Sequence, residues 1–349
     1  MRIAIHPDTI YSTSFSEKWA EFLDKRNVEV KWVDLTSVNA LGQVNDCDGV
    51  MWRWGHAHED KLKAPRILYV IEHCLGIPVF PNHRTTWHYD DKVAQHYIFC
   101  ALDIPAPKAW VFWDAETARQ WANTTEYPKV FKLTSGASSS NVIKVNSKGE
   151  ALGLIKLMFG EGVFPANWPK RSKVSRSLRG ITLSKATLQS AKECLRYVLK
   201  NVYPPLPRAW WMPEKGYIYF QEFIPDNTFD TRITVIGDRA FGFVRHNRSG
   251  DFRASGSGLL DYDVTNVRLE AVELAFEVCA RLQCQSLAFD ILFDHGRPLI
   301  GEISYVYVDT AVYDCPGHWK PDLTWVEGHM WPEEAQVDDF IEYIKRLKK

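Results

Sequence analysis

Asp290, Glu302 and Ser304 are the residues of this chain whose types and spacing first suggest chemistry. Asp290 interrupts an apolar run, Ser286-Leu287-Ala288-Phe289-Asp290-Ile291-Leu292-Phe293. A turn, Asp294-His295-Gly296-Arg297-Pro298, leads into a second run carrying Glu302 and Ser304. Residues two apart on a strand share a face, so Glu302 and Ser304 point the same way. With Asp290 on that face across a hairpin, the three form a hard-oxygen set suited to Mg2+ held jointly with phosphates. Read alone, the two carboxylates are equally well explained as solvated strand ends.

The arginines extend the pattern. Asp230-Thr231-Arg232 begins one apolar strand, Arg245 ends the next, and Arg253 follows in Asp251-Phe252-Arg253-Ala254-Ser255-Gly256. Three guanidinium groups converging on one place are costly unless anions sit among them; exposed strand-end charges are the plainer alternative. Lys92 opens a helix after Asp91, and Lys132 ends Val130-Phe131-Lys132. Each reaches a phosphate as a point charge or is an ordinary surface lysine. The small residues 135–140 follow, a loop that closes its N–H groups over phosphates or is simply a flexible turn. No G-x-G-x-x-G follows the first strand, which argues against a dinucleotide site there. His56-Ala57-His58-Glu59-Asp60 lacks further ligands at metal spacing and reads as a surface loop.

The elements that must position these residues alternate at first. Strand signals at 2–6, 28–33, 49–52 and 79–80 are separated by helical patterns at 14–25 and 65–74, which predicts a small parallel sheet flanked by helices. A helix over 90–102 leads through two prolines into a strand at 109–112, then a helix at 116–122 and strands ending at Lys132 and spanning 142–145. Residues 159–212 change texture, with Lys170, Arg171, Lys173, Arg176 and Arg179 before a helical stretch, and read as an insertion. Its basic run binds an anionic acceptor or is a solvated loop. Strands at 217–223, 231–237 and 240–246, a helix at 267–282, the hairpin and a closing helix at 338–349 complete the chain. The expected domains are 1–90, 91–220 and 221–349.

Composition sets limits. Lys plus Arg total 42 against 43 for Asp plus Glu, so no global charge points to nucleic acid or a membrane surface. The cysteines sit singly, which suggests reduced thiols and a cytoplasmic setting. No apolar run reaches spanning length, so neither export nor a transmembrane segment is expected. The 14 tryptophans are unusually many, and Trp210, Trp211, Trp319, Trp325 and Trp331 stack on sugar rings or anchor loops and core.

The ordered set resembles the ATP-grasp superfamily, in the texture of glutathione synthetase and the ribosomal-protein glutamate ligases. It comprises Asp91-Lys92, Val130-Phe131-Lys132, Gln221-Glu222-Phe223-Ile224 with Asp230-Thr231-Arg232, and Asp290 with Glu302-Ile303-Ser304. It is also similar to ATP-grasp proteins associated with surface-polysaccharide biosynthesis. The resemblance implies an α/β protein, α+β in the grasp part. A Rossmann-like pre-ATP-grasp domain would precede two α+β subdomains clasping ATP. It implies that Lys92, Lys132, Ser138 and Ser139 meet phosphates, while the backbone around Gln221, Glu222, Phe223 and Ile224 reads adenine. Phe223 is equally a core residue. Asp226 or Asp230 takes the ribose, or Asp230 positions Arg232. Arg232, Arg245 and Arg253 would surround the transferred phosphate and the acceptor carboxylate. Asp290, Glu302 and Ser304 would hold Mg2+ or Mn2+. Two departures stand out: the loop is poor in glycine, and Ser255 and Ser304 stand where relatives have asparagine. The implied activity is a carboxylate–amine ligase working through an acyl phosphate. Its acceptor would be a small-molecule, peptide-like or saccharide carboxylate such as a uronic acid, and an amine would be the second substrate. A homodimer is compatible with the resemblance. A catalytically silent ATP-binding scaffold and a kinase acting on a hydroxyl are the competing readings.

Overall fold

The computed structural model describes residues 1–8, 15–136, 141–163 and 213–349. Ser138, Ser139, the basic run and Trp210-Trp211 lie outside the described residues. The chain divides into two compact units, residues 1–107 with 224–349, and residues 108–223. Residues 1–90, expected as the first domain, and 224–349 of the expected last domain belong to one unit.

In the larger unit, β1 (Arg2–Ile5), β2 (Glu29–Trp32), β3 (Gly49–Met51) and β4 (Val79–Phe80) form a parallel sheet in the order β2-β1-β3-β4. Helix α1 (Phe15–Lys25) buries Phe15, Trp19, Phe22 and Leu23, apolar positions at helical spacing. Helix α2 (His58–His73) begins earlier than the expected 65–74 and runs through Pro65. Proline favours the first turn of a helix, but Pro65 lies inside this one.

The same unit holds a seven-stranded sheet of β9 (Phe229–Ile236), β10 (Arg239–His246), β11 (Leu260–Asp261), β12 (Ser286–Asp294), β13 (Arg297–Ser304), β14 (Gly317–Trp319) and β15 (Trp325–Glu327). Its order is β13-β12-β9-β10-β14-β15, with β11 paired to β10. One face is apolar: Ile233, Val235, Val244, Leu287, Phe289, Ile291, Ile300 and Ile303 form a core with Ala271, Val272, Ala275 and Val278. The last four lie on α7 (Leu269–Leu282), after α3 (His83–Thr86), α4 (Lys92–Ala101), α5 (Ala115–Thr124) and α6 (Lys148–Met158) in chain order. On the opposite face Ile236, Phe241, Phe243 and Ala288 join Trp19 of α1 and Phe340, Ile341 and Ile344 of α9 (Pro332–Leu347), which follows the short α8 (Asp309–Tyr313). The other end of that face carries the charges.

A β-bulge sets the aim of Glu302. Asp290 pairs with Glu302 but Ile291 pairs with Ile300, so Gly301 is the extra residue. Strict alternation would put Ile300 and Glu302 on one face. The bulge sends Ile300 into the core and Glu302 to the side of Asp290.

The smaller unit holds an antiparallel sheet in the order β5-β8-β6-β7, from β5 (Ala109–Phe112), β6 (Lys129–Lys132), β7 (Val142–Val145) and β8 (Ile218–Glu222). Trp121 of α5 stacks on Phe220 at a centroid distance of 4.8 Å. The register puts Phe131, Phe220, Lys129 and Glu222 on that face, and Val130, Lys132, Tyr219 and Gln221 on the other. No helix among the described residues is long and apolar enough to cross a membrane.

Candidate active site

The charged end of the large sheet is assembled by strand register. Arg245 faces Asp230 across β9 and β10, while Asp290 faces Arg232 across β9 and β12 and Glu302 across β12 and β13. Arg245 grips Asp230 with both arms, Nε to Oδ1 at 2.6 Å and Nη2 to Oδ2 at 2.7 Å. Its Nη2 also lies 2.8 Å from Asp290 Oδ2. Arg232 Nε lies 2.5 Å from Asp290 Oδ1, yet both atoms are buried without a hydrogen-bond partner, so this charge contact lacks hydrogen-bond alignment. Burial would raise the Asp290 carboxyl, but Arg232 and Arg245 more than offset it and hold the group well below the usual carboxylate range. Burial would depress Arg245; Asp290 and Asp230 more than reverse this and keep it firmly charged.

Lys92 completes the cluster from a helix start. Asp91 caps α4 by accepting from Ala94 N at 2.8 Å. One turn on, Gln95 clamps Ile303: its Nε2 donates to Ile303 O at 2.9 Å and its Oε1 accepts from Ile303 N at 3.2 Å. This docks the helix on β13 beside Glu302. Lys92 is 6% exposed, with Nζ 3.0 Å from Glu302 Oε1. Asp290, Glu302, Arg232, Arg245, Asp230 and Lys92 are therefore brought together.

Three expected residues are engaged differently. Ser304 Oγ donates to Val306 O at 2.9 Å and accepts from Val306 N at 3.1 Å, closing a local turn. Asp230 is committed to Arg245, not Arg232, and Asp226 is exposed. Arg253 pairs with Asp251 of its own loop, Nε to Oδ1 at 2.8 Å and Nη2 to Oδ2 at 2.7 Å. Among the described residues no group of three or more His, Cys, Asp or Glu side chains is placed to hold a metal. Asp290 and Glu302 are the two carboxylates of this cluster whose hard oxygens could hold a cation, each now facing a cationic side chain.

In the smaller unit, Lys132 and the buried Gln221 share a sheet face, while Glu222 points to the other face and accepts from Lys129 Nζ at 2.8 Å. Phe223 lies under Lys144, whose Nζ is 3.8 Å from its ring centroid. Ile224 opens the return of the chain into the larger unit.

Some residues were missed by sequence reasoning. Lys129 is nearly buried on β6, and strand alternation relative to Lys132 was its only signal. His56 lies in the partly exposed loop before α2, with its Nδ1 3.4 Å from Asp90 Oδ2 and 3.0 Å from the Tyr89 hydroxyl, and Lys61 also pairs with Asp90. No signal in the sequence links those positions. The tail tryptophans are packing residues, with Trp319 on Trp325 at 4.7 Å and Trp331 stacked on Tyr313 at 4.1 Å.

No family model and no curated protein matches the sequence. Solved structures do. A RimK-domain ATP-grasp protein from Sphaerobacter thermophilus aligns with a TM-score of 0.54 at 15% identity, covering 98% of this chain and 100% of that one. The D-alanine–D-alanine ligase of Bacillus anthracis, complexed with ATP, aligns with a TM-score of 0.58 at 12% identity, covering 99% of each chain. The ATP-grasp ligase PsnB, complexed with a precursor peptide and AMPPNP, gives 0.53 at 13% identity, covering 99% of this chain and 98% of that one. This chain has the fold of these ATP-grasp structures.

Proposed function

We propose that the protein is an ATP-dependent, Mg2+-assisted carboxylate–amine ligase. The observation that carries this reading is the cluster of Asp290, Glu302, Lys92, Arg232 and Arg245 on one end of one sheet face in a chain with this fold. Two carboxylates suit a hard cation, and three cations beside them suit phosphate and carboxylate oxygens. Such an array can stabilise phosphoryl transfer by positioning and charge, without a nucleophilic side chain.

In this reading Asp290 and Glu302 take the metal, which supplies neutralisation of charge on the transferred phosphoryl group. Lys92 and Arg232, once released from those carboxylates, bind phosphate oxygens. Arg245 stays with Asp230 and holds the geometry of Asp290. In the smaller unit Lys132, with the end of β8 at Gln221 and Glu222, serves the nucleotide. The acceptor carboxylate attacks the γ-phosphorus, ADP leaves, and an amine displaces phosphate from the resulting acyl phosphate to give an amide. The likeness to a D-alanine–D-alanine ligase and to a ligase complexed with a precursor peptide supports a small-molecule or peptide carboxylate as acceptor. Trp319, Trp325 and Trp331 pack on protein, so they lend a saccharide acceptor no support.

The test is titration of the purified protein with AMPPNP and Mg2+, followed by ADP release with pools of amino acids and peptides. We expect micromolar binding, acceptor-stimulated ADP release, and loss of both in Lys132→Ala and Glu302→Ala. A protein that binds no ATP analogue sinks the reading, and ATP binding without release under any acceptor pool reduces it to a scaffold.

A further inference from the structure

The start of the loop after Lys132 is held by a carboxylate that the proposed chemistry does not use. Thr134 N donates to Glu214 Oε2 at 2.9 Å and Ser135 N donates to Glu214 Oε1 at 3.2 Å. The Ser135 and Tyr217 hydroxyls donate to the same carboxylate, and Thr134 N also donates to the Tyr217 oxygen at 2.7 Å. Successive backbone N–H groups converging on one anion form a nest. Glu214 is itself fixed by a two-way bridge, its N donating to Val163 O at 2.8 Å and its O accepting from Val163 N at 3.0 Å.

The other side of the loop root is held as well. Asn141 Nδ2 donates to Ser135 O at 2.9 Å, and Leu133 N donates to Asn141 O at 3.2 Å. Between them Gly136 adopts φ +133°, and a Cβ there would come within 2.3 Å of Asn141 Nδ2. Burial, with the nearby Glu214 charge, pushes the Tyr217 phenol far above its ordinary value and keeps it a donor. A carboxylate accepting charge-assisted bonds from two N–H and two O–H groups is fully satisfied and holds direction as well as place. Glu214 therefore acts on Thr134 and Ser135 as a fixed post.

We propose that Glu214 is the positioning residue of the phosphate-binding loop: by taking the Thr134 and Ser135 N–H groups it sets the direction in which the backbone leaves Lys132. The proposal rests on the ATP-binding reading. A loop root that has lost its post presents its remaining donors to phosphate with poorer alignment, while adenosine, which lacks phosphates, is read elsewhere. Removal of the carboxylate should thus cost triphosphate affinity selectively.

The experiment compares the full-length protein with Glu214→Ala and Glu214→Gln, titrating AMPPNP and, separately, adenosine in Mg2+ buffer. We expect Glu214→Ala to weaken AMPPNP about tenfold or more while adenosine changes less than about twofold. Glu214→Gln, which keeps one acceptor oxygen, should fall between. Unchanged or tighter AMPPNP binding in Glu214→Ala overturns the proposal; the tighter case would mean that Glu214 competes with phosphate. Proportional loss of both ligands also overturns it, because a merely structural role would do that. If the wild-type protein binds no AMPPNP, the ATP reading fails separately. The post is then judged by amide exchange at Thr134 and Ser135, slow in the wild type and fast in Glu214→Ala; equal rates refute it.

Discussion

Arg232 Nε sits 2.5 Å from Asp290 Oδ1, directly across two paired strands, so the carboxylate proposed for the metal is already neutralised by protein. Lys92 does the same to Glu302 at 3.0 Å. A cation arriving alone must break these pairs and strand two positive side chains; a polyphosphate arriving alone meets side chains already paired. Arriving together, metal and phosphate exchange partners with the protein and leave no charge uncompensated. We predict that Mn2+, used as a spectroscopic probe, binds only at about millimolar levels without nucleotide and at least about tenfold tighter with AMPPNP. Arg232→Met should strengthen nucleotide-free Mn2+ binding and weaken AMPPNP. Electron paramagnetic resonance of free Mn2+ reads both, and tight nucleotide-free binding in the wild type would refute the exchange.

Arg245 has a different duty. It is 8% exposed on its side chain and bridges Asp230 and Asp290. Arg245→Ala leaves two buried carboxylates facing each other, and breaking a buried pair of this kind costs about 3–5 kcal/mol. Urea unfolding measures it. Arg245→Ala as stable as the wild type would show that the arginine is held for ligand and not for the sheet.

Much of this site was legible because it follows from strand alternation and order along the chain. Asp230, Arg232, Arg245, Asp290 and Glu302 lie on strands whose apolar neighbours mark the core, and Asp91 before Lys92 is a helix-cap signature. What could not be read depends on chain reversal and local competition. The bulge at Gly301, which separates Ile300 from Glu302, is set by pairing with β12, and its one signal in β13 is the lone strand glycine. Arg253 has a partner two residues away in Asp251, a short-range pair set by the loop itself. The joining of residues 1–107 to 224–349 rests on contacts between distant segments, such as Trp19 Nε1 donating to Gln336 Oε1 at 2.8 Å. No composition shift marks it.

Ser304 supplies a sharp contrast with Glu302. Its hydroxyl is spent on both backbone groups of Val306, which makes it a turn residue. Ser304→Ala should cost about 0.5–1.5 kcal/mol of stability and change Mn2+–AMPPNP affinity less than about threefold. Glu302→Gln, which removes a charged donor, should reduce that affinity about tenfold or more. Comparable losses in the two variants would return Ser304 to the metal site.

Glu333 makes folding depend on pH far from the site. It lies in the first turn of α9, 0% exposed, with neither carboxylate oxygen hydrogen-bonded and Lys18 Nζ 3.7 Å away. Lys18 gives its short contact to Asp309 instead, at 2.6 Å. Burial pushes the Glu333 carboxyl up to about 8; Asp309 adds to the rise, while Lys18 and the local backbone oppose it. The unfolded chain releases this proton near pH 4.5 and the folded chain holds it to about pH 8. Between those values the folded state binds more protons, so the stability present at low pH is lost as pH rises, by at most about 1.4 kcal/mol per pH unit from this group. Glu333→Gln keeps the shape without the titration. Urea unfolding at pH 5, 7 and 8.5 should show the variant gaining on the wild type as pH rises, and to be the more stable at pH 8.5. Parallel stability curves would mean that Glu333 ionises in the fold as it does in the unfolded chain.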